Sequence, residues 1–304
     1  MTTLFALATV LGAIAVGAWT SASDPARLQQ RVDGRLRLAG GTPIALARVS
    51  PLLREAVVAT EDERFYRHHG IDLIGVLRAI PYDVAHLSFA QGASTITEQV
   101  AKLIYLGGND HSPWRKLEDG ALALKLESRY DKEQILDAYL DSVYFGRGAT
   151  GAYAASEGFF GVPPRRLDLT QASLLAGLIQ APSLYDPARH PQAARLRQLA
   201  VLRSLVRDGL VTQEEAADAV EAPLPIRGAR PLPAAHGVDL APGPAFVWWE
   251  FGAGALALAA AVAGFLALRR VPIDATVRRV GVEVALGLAL LAGVATIVRS
   301  FRAL

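Results

Sequence analysis

The chain has 304 residues, of which 52% are hydrophobic and 20% are charged, a larger hydrophobic share than a soluble domain requires. Its formal charge is only +2, and the basic excess lies in the C-terminal part, which argues against a nucleic-acid-binding domain. The absence of cysteine excludes disulfides, thiolate catalysis and cysteine-ligated zinc.

The chain begins with an uncharged apolar stretch at residues 4–19, about as short as a membrane-spanning helix can be. Two interpretations stay open for residues 1–22. The segment is either a transmembrane anchor or a signal peptide that is removed after the small residues Ser21, Ala22 and Ser23.

Residues 23–222 are predicted to form an all-α domain, because apolar residues recur at spacings of three and four between glycine and proline breakers. Helices are predicted over residues 51–60, 72–80, 94–105, 115–129, 132–145, 169–180 and 191–208. A further helix is predicted after Thr212, where the sequence Thr-Gln-Glu-Glu indicates a capping box. No run of alternating strand-type residues interrupts this pattern.

The C-terminal part is predicted to return to the membrane. Six prolines in residues 223–244 predict an extended linker. Residues 245–304 contain two apolar stretches, 246–268 and 280–298, which predict a transmembrane hairpin, although either could instead be a buried helix of a soluble domain. The loop between them carries four arginines and one aspartate, so the positive-inside rule places it in the cytoplasm and residues 24–244 outside.

Three short polar windows of the helical domain contain candidate chemistry. In EDERFYRHHG, at residues 61–70, Glu61 follows an apolar helical turn, where partial burial would raise its pKa toward the range of a general base; a solvated helix end is the alternative. In GASTITEQ, at 92–99, hydroxyl residues can cap the following helix. In RKLED, at 115–119, two cations at a helix start oppose the macrodipole, which favours a phosphate ligand.

In this order and spacing, the windows resemble the peptidoglycan glycosyltransferases of glycosyltransferase family 51, the polymerising module of class A penicillin-binding proteins and of their monofunctional relatives. Two more segments extend the resemblance, KEQILDAYLDSVYFG at 132–146 and AGLIQAPSLYDP at 176–187. The five matching segments follow the family's order over roughly half of the chain.

The resemblance implies a lysozyme-like helical fold with a smaller lobe that dips into the membrane. By position, residues 71–89 match that lobe, with ordinary core as the alternative. The resemblance also implies polymerisation of lipid II into β-1,4 glycan strands at the outer face of the bacterial cytoplasmic membrane. In that reaction the configuration of the donor sugar is inverted as undecaprenyl pyrophosphate leaves. The implied partners are lipid II, the growing glycan strand, the membrane and other cell-wall synthases.

The resemblance further assigns roles to single residues. Glu61 matches the general base that takes the proton of the acceptor 4-hydroxyl, and Asp119 matches a second carboxylate of the site. Positions that bind the donor or its pyrophosphate fall on Ser94, Gln99, Lys102, Arg115, Lys116 and Arg197. The resemblance names no metal-ligating residue here, although Mg²⁺ or Mn²⁺ assists some members.

Four residues depart from the family pattern. Asp119 replaces a glutamate, and a misplacement of about 1 Å can cost roughly 10²-fold in rate. Glu98 replaces a glutamine and adds a negative charge near a site for an anion. Asp137 and Asp141 replace Glu and Asn in the fourth segment, where we expect structural support. A protein that binds lipid II without polymerising it, as an accessory of cell-wall synthesis, is therefore the main alternative.

Two further expectations concern the type of enzyme. A hydrolase or lytic transglycosylase of the same broad fold fits less well, because the cations at Lys102, Arg115 and Lys116 suit a pyrophosphate, which a polysaccharide substrate lacks. No Ser-x-x-Lys, Ser-x-Asn and Lys-Thr-Gly set follows the linker, so we expect a monofunctional glycosyltransferase without a transpeptidase domain.

Overall fold

A computed structural model describes residues 2–75, 94–107, 112–221, 223–236 and 240. These residues form a mostly helical domain, as predicted. Its α-helices are α1 (Thr2–Ser21), α2 (Leu28–Leu38), α3 (Pro51–Glu61), α4 (Ile96–Val100), α5 (Pro113–Glu127), α6 (Lys132–Ser142), α7 (Ala152–Phe159), α8 (Leu169–Leu178), α9 (Pro191–Arg207) and α10 (Gln213–Glu221). Short 3₁₀ turns lie at Leu46–Arg48, Phe65–Arg67 and Pro164–Arg166, and a π-helix lies at Ala101–Leu106.

Helix α8 lies in the core and packs against α3 and α9. Every residue from Ala172 to Leu178 is buried, and the small residues of this run let neighbouring helices approach closely. At Gly177 a Cβ atom would lie 3.1 Å from Cγ of Arg197 on α9. This packing brings a cationic residue of α9 toward the C-terminal end of α3.

Side-chain caps explain where several helices begin. The Asp131 carboxylate accepts a hydrogen bond from the backbone N–H of Gln134 at 2.8 Å, which starts α6, and Asp168 does the same with Gln171 before α8. The capping box predicted after Thr212 is confirmed, because Thr212 Oγ1 accepts from the N–H of Glu215 at 3.1 Å.

The predicted helix over 132–145 is too long. Helix α6 ends at Ser142, and a two-stranded antiparallel hairpin follows, with β1 at Tyr144–Gly146 and β2 at Ala149–Thr150. The chain turns here because Gly146, Arg147 and Gly148 all adopt positive φ, a conformation that ends a helix. The sequence prediction also missed α2 and α7, and it did not anticipate that the helix after Thr95 continues as a π-helix.

Residues 223–236 lie on the domain, which differs from the extended linker predicted there. Leu224 and Leu232 are buried and pair through an antiparallel bridge. The Arg195 guanidinium of α9 donates to the carbonyl oxygens of Leu232 and Pro233. Apolar residues alternate with the prolines of this segment, so an extended backbone can bury one face.

The C-terminal end of α1 packs against α5. Lys125 Nζ donates to the Ala22 carbonyl at 2.7 Å and lies 5.2 Å from the ring centroid of Trp19. Among the described residues, no helix combines the length and the apolar character needed to cross a bilayer. The predicted spans at 246–268 and 280–298 lie outside the described residues, as does most of the segment 71–89.

Helix α6 carries two carboxylates one turn apart, Asp137 and Asp141, beside Asp33 of α2. Asp141 is buried and accepts a hydrogen bond from the N–H of Ile44 at 3.2 Å, which agrees with the structural support expected at this position. Burial raises the pKa of Asp141 to about 7, and the negative charges of Asp137 and Asp33 add to this shift. The folded domain therefore binds a proton here more tightly than the unfolded chain does.

We expect the contribution of Asp141 to the free energy of unfolding to be largest below about pH 4 and to be lost as the pH rises through about 7. Asp141→Asn should abolish most of the decline between pH 5 and pH 8, on the order of 2 kcal/mol, because asparagine keeps the acceptor without the charge. Chemical denaturation of the full chain at both pH values measures this. Asp218→Asn, at an exposed position of α10, is the matched control and should leave the decline unchanged.

Candidate active site

The last residue of α3, Glu61, is held by a chain of hydrogen bonds. Its Oε2 accepts from Gln99 Nε2 at 2.9 Å, and Gln99 Oε1 accepts from the Tyr139 hydroxyl at 3.0 Å. Tyr139 is fully buried in α6. Because both ends of the Gln99 amide are engaged, its orientation is defined, and the amide fixes one oxygen of the Glu61 carboxylate.

Burial raises the pKa of Glu61 above its ordinary value. The hydrogen bond from Gln99 and the positive charge of Arg197 oppose that shift, while the negative charge of Asp62 adds to it. Part of the Glu61 side chain still reaches the surface. A partly accessible carboxylate with a raised pKa has the properties of a general base.

A buried pair, Asp62 and His68, connects the end of α3 to the start of α4. Asp62 Oδ2 accepts from the N–H of Ile96 at 3.0 Å, and His68 Nε2 lies 3.0 Å from both carboxylate oxygens of Asp62. The nearby Gly70 carbonyl accepts from Thr95 Oγ1 at 2.6 Å. These bonds have a structural role, since they place α4 against the end of α3.

Gly70 is required at its position for two reasons. It has a φ of 81°, and a Cβ atom there would lie 2.8 Å from the backbone of Ala123 in α5. The loop after α3 therefore lies directly against α5, the helix whose first turns carry the predicted cations.

Arg115 does not extend into solvent as a free cation. Its Nη2 donates to the carbonyl oxygens of Leu106 and Gly107, at the C-terminal end of the π-helix. A cation is favourable at that end because the exposed carbonyls carry partial negative charge. Its Nε also lies 3.9 Å from Asp119 Oδ1.

Lys116 is engaged by two residues of the second sequence window. Its Nζ lies 2.9 Å from Ser94 Oγ and 2.9 Å from Glu98 Oε1. The structure thus brings together Ser94 and Lys116, which were both predicted to bind pyrophosphate. It also places between them the glutamate that departs from the family pattern.

Asp119 lies one turn after Arg115 and is largely buried, with 13% of its side chain exposed. Burial raises its pKa, and the positive charges of Lys116, Arg115 and Lys102 oppose this shift. Among the described residues, no hydrogen bond reaches its buried Oδ1. A buried acceptor without a donor is unsatisfied, so a ligand or water that reached this oxygen would bind it favourably.

The remaining two predicted cations, Lys102 and Arg197, act on different carboxylates of the site. Lys102 is exposed on the π-helix and acts electrostatically on Asp119. Arg197 on α9 acts electrostatically on Glu61, and its Nε lies 3.4 Å from the Gly177 carbonyl. The eight predicted residues therefore form two groups, one around Glu61 and one around Asp119, which are joined by the adjacent residues Glu98 and Gln99 of α4.

The described residues contain no group of three His, Asp or Glu side chains that could hold a metal ion. Mg²⁺ commonly binds one or two carboxylates and completes its coordination with substrate phosphates and water. Asp119, with an acceptor oxygen that receives no hydrogen bond from the described residues, is the side chain here that fits such a partial site.

Sequence reasoning missed two contributors to the site and the partner of a third. Tyr139 was treated only as part of a packing helix, although a buried tyrosine hydroxyl usually finds a hydrogen-bond partner. Asp62 was not singled out. Glu98 was recognised as a departure from the family pattern, but its ion-pair partner was not identified. The partner of Glu98 could not be read from the sequence, because Lys116 lies 18 residues away on another helix.

Comparison with known proteins supports the family resemblance. Residues 34–206 match the family model described as Transglycosylase. Penicillin-binding protein 1A of Aquifex aeolicus (strain VF5) is 35% identical over 211 residues, which cover 69% of this chain and 29% of that protein. Proteins of the same name from Neisseria lactamica and Neisseria gonorrhoeae are 40% and 42% identical over 164 residues, 54% of this chain and 20% of each relative. The chain thus matches less than a third of the length of these relatives.

The geometry predicts that Gln99 tunes the pKa of Glu61. Gln99→Met removes the amide N–H that stabilises the carboxylate, so the pKa of Glu61 should rise further. The measurement is a ¹³C NMR titration of protein labelled at glutamate side chains, with the Glu61 signal assigned from Glu61→Gln. Gln29→Met, on the exposed face of α2, is the control. An unchanged titration of Glu61 in Gln99→Met would contradict the role of this bond.

Proposed function

The chain belongs to the transglycosylase family, glycosyltransferase family 51, and from that premise we propose that it polymerises lipid II into β-1,4 glycan strands for the bacterial cell wall. The observation that carries the proposal is the Glu61 carboxylate, whose pKa is raised by burial and whose orientation is fixed by Gln99. The family match and the mostly helical domain also support the lysozyme-like fold that the resemblance implied.

In the proposed reaction, Glu61 accepts the proton of the acceptor sugar's 4-hydroxyl as that oxygen attacks C1 of the donor sugar. The bond between C1 and the pyrophosphate oxygen breaks, and its electron pair leaves with undecaprenyl pyrophosphate. One displacement inverts C1, and pyrophosphate needs no proton from the enzyme to depart. The acid of a glycosidase is therefore unnecessary, and a single well-placed base suffices.

The departing pyrophosphate requires positive charge. Lys102 and Lys116 are the cations best placed to supply it, since Lys102 is exposed and half of the Lys116 side chain is exposed. Arg115 is bound to backbone carbonyls, so it stabilises the end of the π-helix that carries Lys102 and contributes its charge at a longer range. Ser94 adds a hydroxyl beside Lys116.

Asp119 completes the proposed site as its second carboxylate. Asp119 would accept a hydrogen bond from a donor hydroxyl or, if Mg²⁺ or Mn²⁺ were bound, would be the residue that holds the cation. Such a cation would neutralise negative charge on the leaving group. The shorter aspartate side chain reaches less far than the family's glutamate, so the reaction is expected to be slow.

We also propose the cellular arrangement that the sequence favours. The catalytic domain faces the outside of the cytoplasmic membrane, where lipid II presents its sugars. The proposed anchors are the two apolar stretches at 246–268 and 280–298, which flank an arginine-rich loop that the positive-inside rule places in the cytoplasm. The C-terminal hairpin is then a candidate surface for other cell-wall synthases.

A second function, binding lipid II without polymerisation, is favoured by one specific observation. The cation expected to bind pyrophosphate, Lys116, contacts Glu98 at 2.9 Å, and the second carboxylate is shortened. An accessory protein of this kind would keep affinity for the lipid headgroup and lack turnover. The two functions differ in a single measurable property, the formation of glycan product.

The proposal predicts that the full chain, solubilised in detergent with Mg²⁺ or Mn²⁺, converts labelled lipid II into glycan ladders on a gel. Glu61→Gln should reduce the rate by about 10²- to 10⁴-fold, because glutamine cannot take the proton. The wild-type rate should also fall as the pH decreases through the raised pKa of Glu61. Glu63→Gln, two residues away and paired with Arg207, is the matched control and should retain the ladders.

A further prediction concerns the second carboxylate. Asp119→Glu should increase the rate about tenfold or more by restoring the reach of the carboxylate, and Asp119→Asn should reduce it. Asp218→Glu makes the same extension at an exposed position of α10 and should have no effect. Bound lipid II without ladders in the wild type, together with ladders in Asp119→Glu, would favour the accessory function. An equal rate in Asp119→Asn and the wild type would remove Asp119 from the reaction.

A further inference from the structure

The ion pair between Glu98 and Lys116 has a consequence for donor binding. We propose that Glu98 sets the affinity of the site for pyrophosphate by competing with that anion for Lys116. The inference rests on the proposed function, since it concerns the same site, and it identifies a residue that tunes substrate affinity without contacting the reacting atoms.

Glu98 is the fixed member of the pair. Its Oε2 accepts from the N–H of Thr95 at 2.8 Å, and its own N–H donates to Thr95 Oγ1 at 3.1 Å. Thr95 Oγ1 in turn donates to the Gly70 carbonyl. Only 6% of the Glu98 side chain is exposed, so the carboxylate is held in place by bonds that do not involve Lys116.

Lys116 is the adaptable member. Its side chain is 52% exposed, and its ammonium group meets Glu98 Oε1 and Ser94 Oγ, both at 2.9 Å. An ammonium has three N–H donors, and these contacts use two of them. An arriving anion therefore meets a cation whose charge is already offset and most of whose donors are occupied.

The charge of Glu98, rather than its shape, carries this effect. The capping contact needs only an oxygen that accepts from the N–H of Thr95, which a glutamine amide also offers. A glutamine would keep α4 in place and leave Lys116 without a carboxylate partner among the described residues. Glu98→Gln thus separates the electrostatic role of this residue from its structural role.

The test measures binding of inorganic pyrophosphate to the full chain in detergent by calorimetry. Glu98→Gln should bind pyrophosphate about two- to fivefold more tightly than the wild type, the size expected when one partly exposed ion pair no longer competes. The gain should disappear in the Lys116→Met background, because the effect acts through that lysine.

A second capping box supplies the matched control. Glu215 caps the start of α10 through Thr212, with the same geometry that Glu98 has with Thr95. Glu215→Gln removes the same charge from the same local motif and should leave pyrophosphate affinity unchanged. Equal affinity in Glu98→Gln and the wild type, an equal gain in Glu215→Gln, or a gain that persists without Lys116 would each overturn the proposal.

Turnover of lipid II separates this inference from the proposed function. If the chain polymerises lipid II, Glu98→Gln should lower KM for the donor by a similar factor. Tighter pyrophosphate binding without any glycan product would support the competition and reject the polymerase. Glycan product with no change in pyrophosphate affinity or KM would support the polymerase and reject the competition.

Discussion

The site depends on the placement of the short helix α4 against the end of α3. The Asp62 carboxylate makes this connection, since it is buried with His68 and accepts from the first N–H of α4, that of Ile96, at 3.0 Å. A helix of five residues has little stability of its own, so these long-range bonds must hold it. Consecutive residues of α4 then serve different purposes, because Gln99 bonds to Glu61 and Glu98 bonds to Lys116.

Burial and nearby cations act in opposite directions on both candidate carboxylates. Burial raises the pKa of Glu61 and of Asp119, while Arg197 lowers the first and Lys116 with Arg115 lowers the second. A proton acceptor must be charged before the reaction and must hold the proton afterwards, and a pKa moderately above the ordinary range serves both needs. The cations therefore limit the rise that burial causes in both pKa values, and at Glu61 the hydrogen bond from Gln99 limits it further.

Much of the fold was predictable from local patterns, and the site only in part. The helix predicted over 51–60 lies at Pro51–Glu61, because apolar spacing and a proline at the start define it locally. The hairpin after Ser142 was missed, since successive left-handed residues override an otherwise helical pattern. The packed segment around Leu232 was missed because its burial depends on Arg195, a distant residue. The engagement of Lys116 likewise required the tertiary structure.

The two departures from the family pattern at the site, Glu98 and Asp119, are connected through Lys116. Glu98 bonds to this lysine directly, and Lys116 lowers the pKa of Asp119, whose shift is due first to burial. The negative charge of Glu98 also raises the pKa of Asp119, so it acts on this carboxylate both directly and by neutralising the opposing cation. Neighbouring charges of this kind do not contribute additively. The charge at position 98 and the reach of the carboxylate at position 119 therefore form one electrostatic unit, and the effect of restoring either family residue depends on which residue occupies the other position.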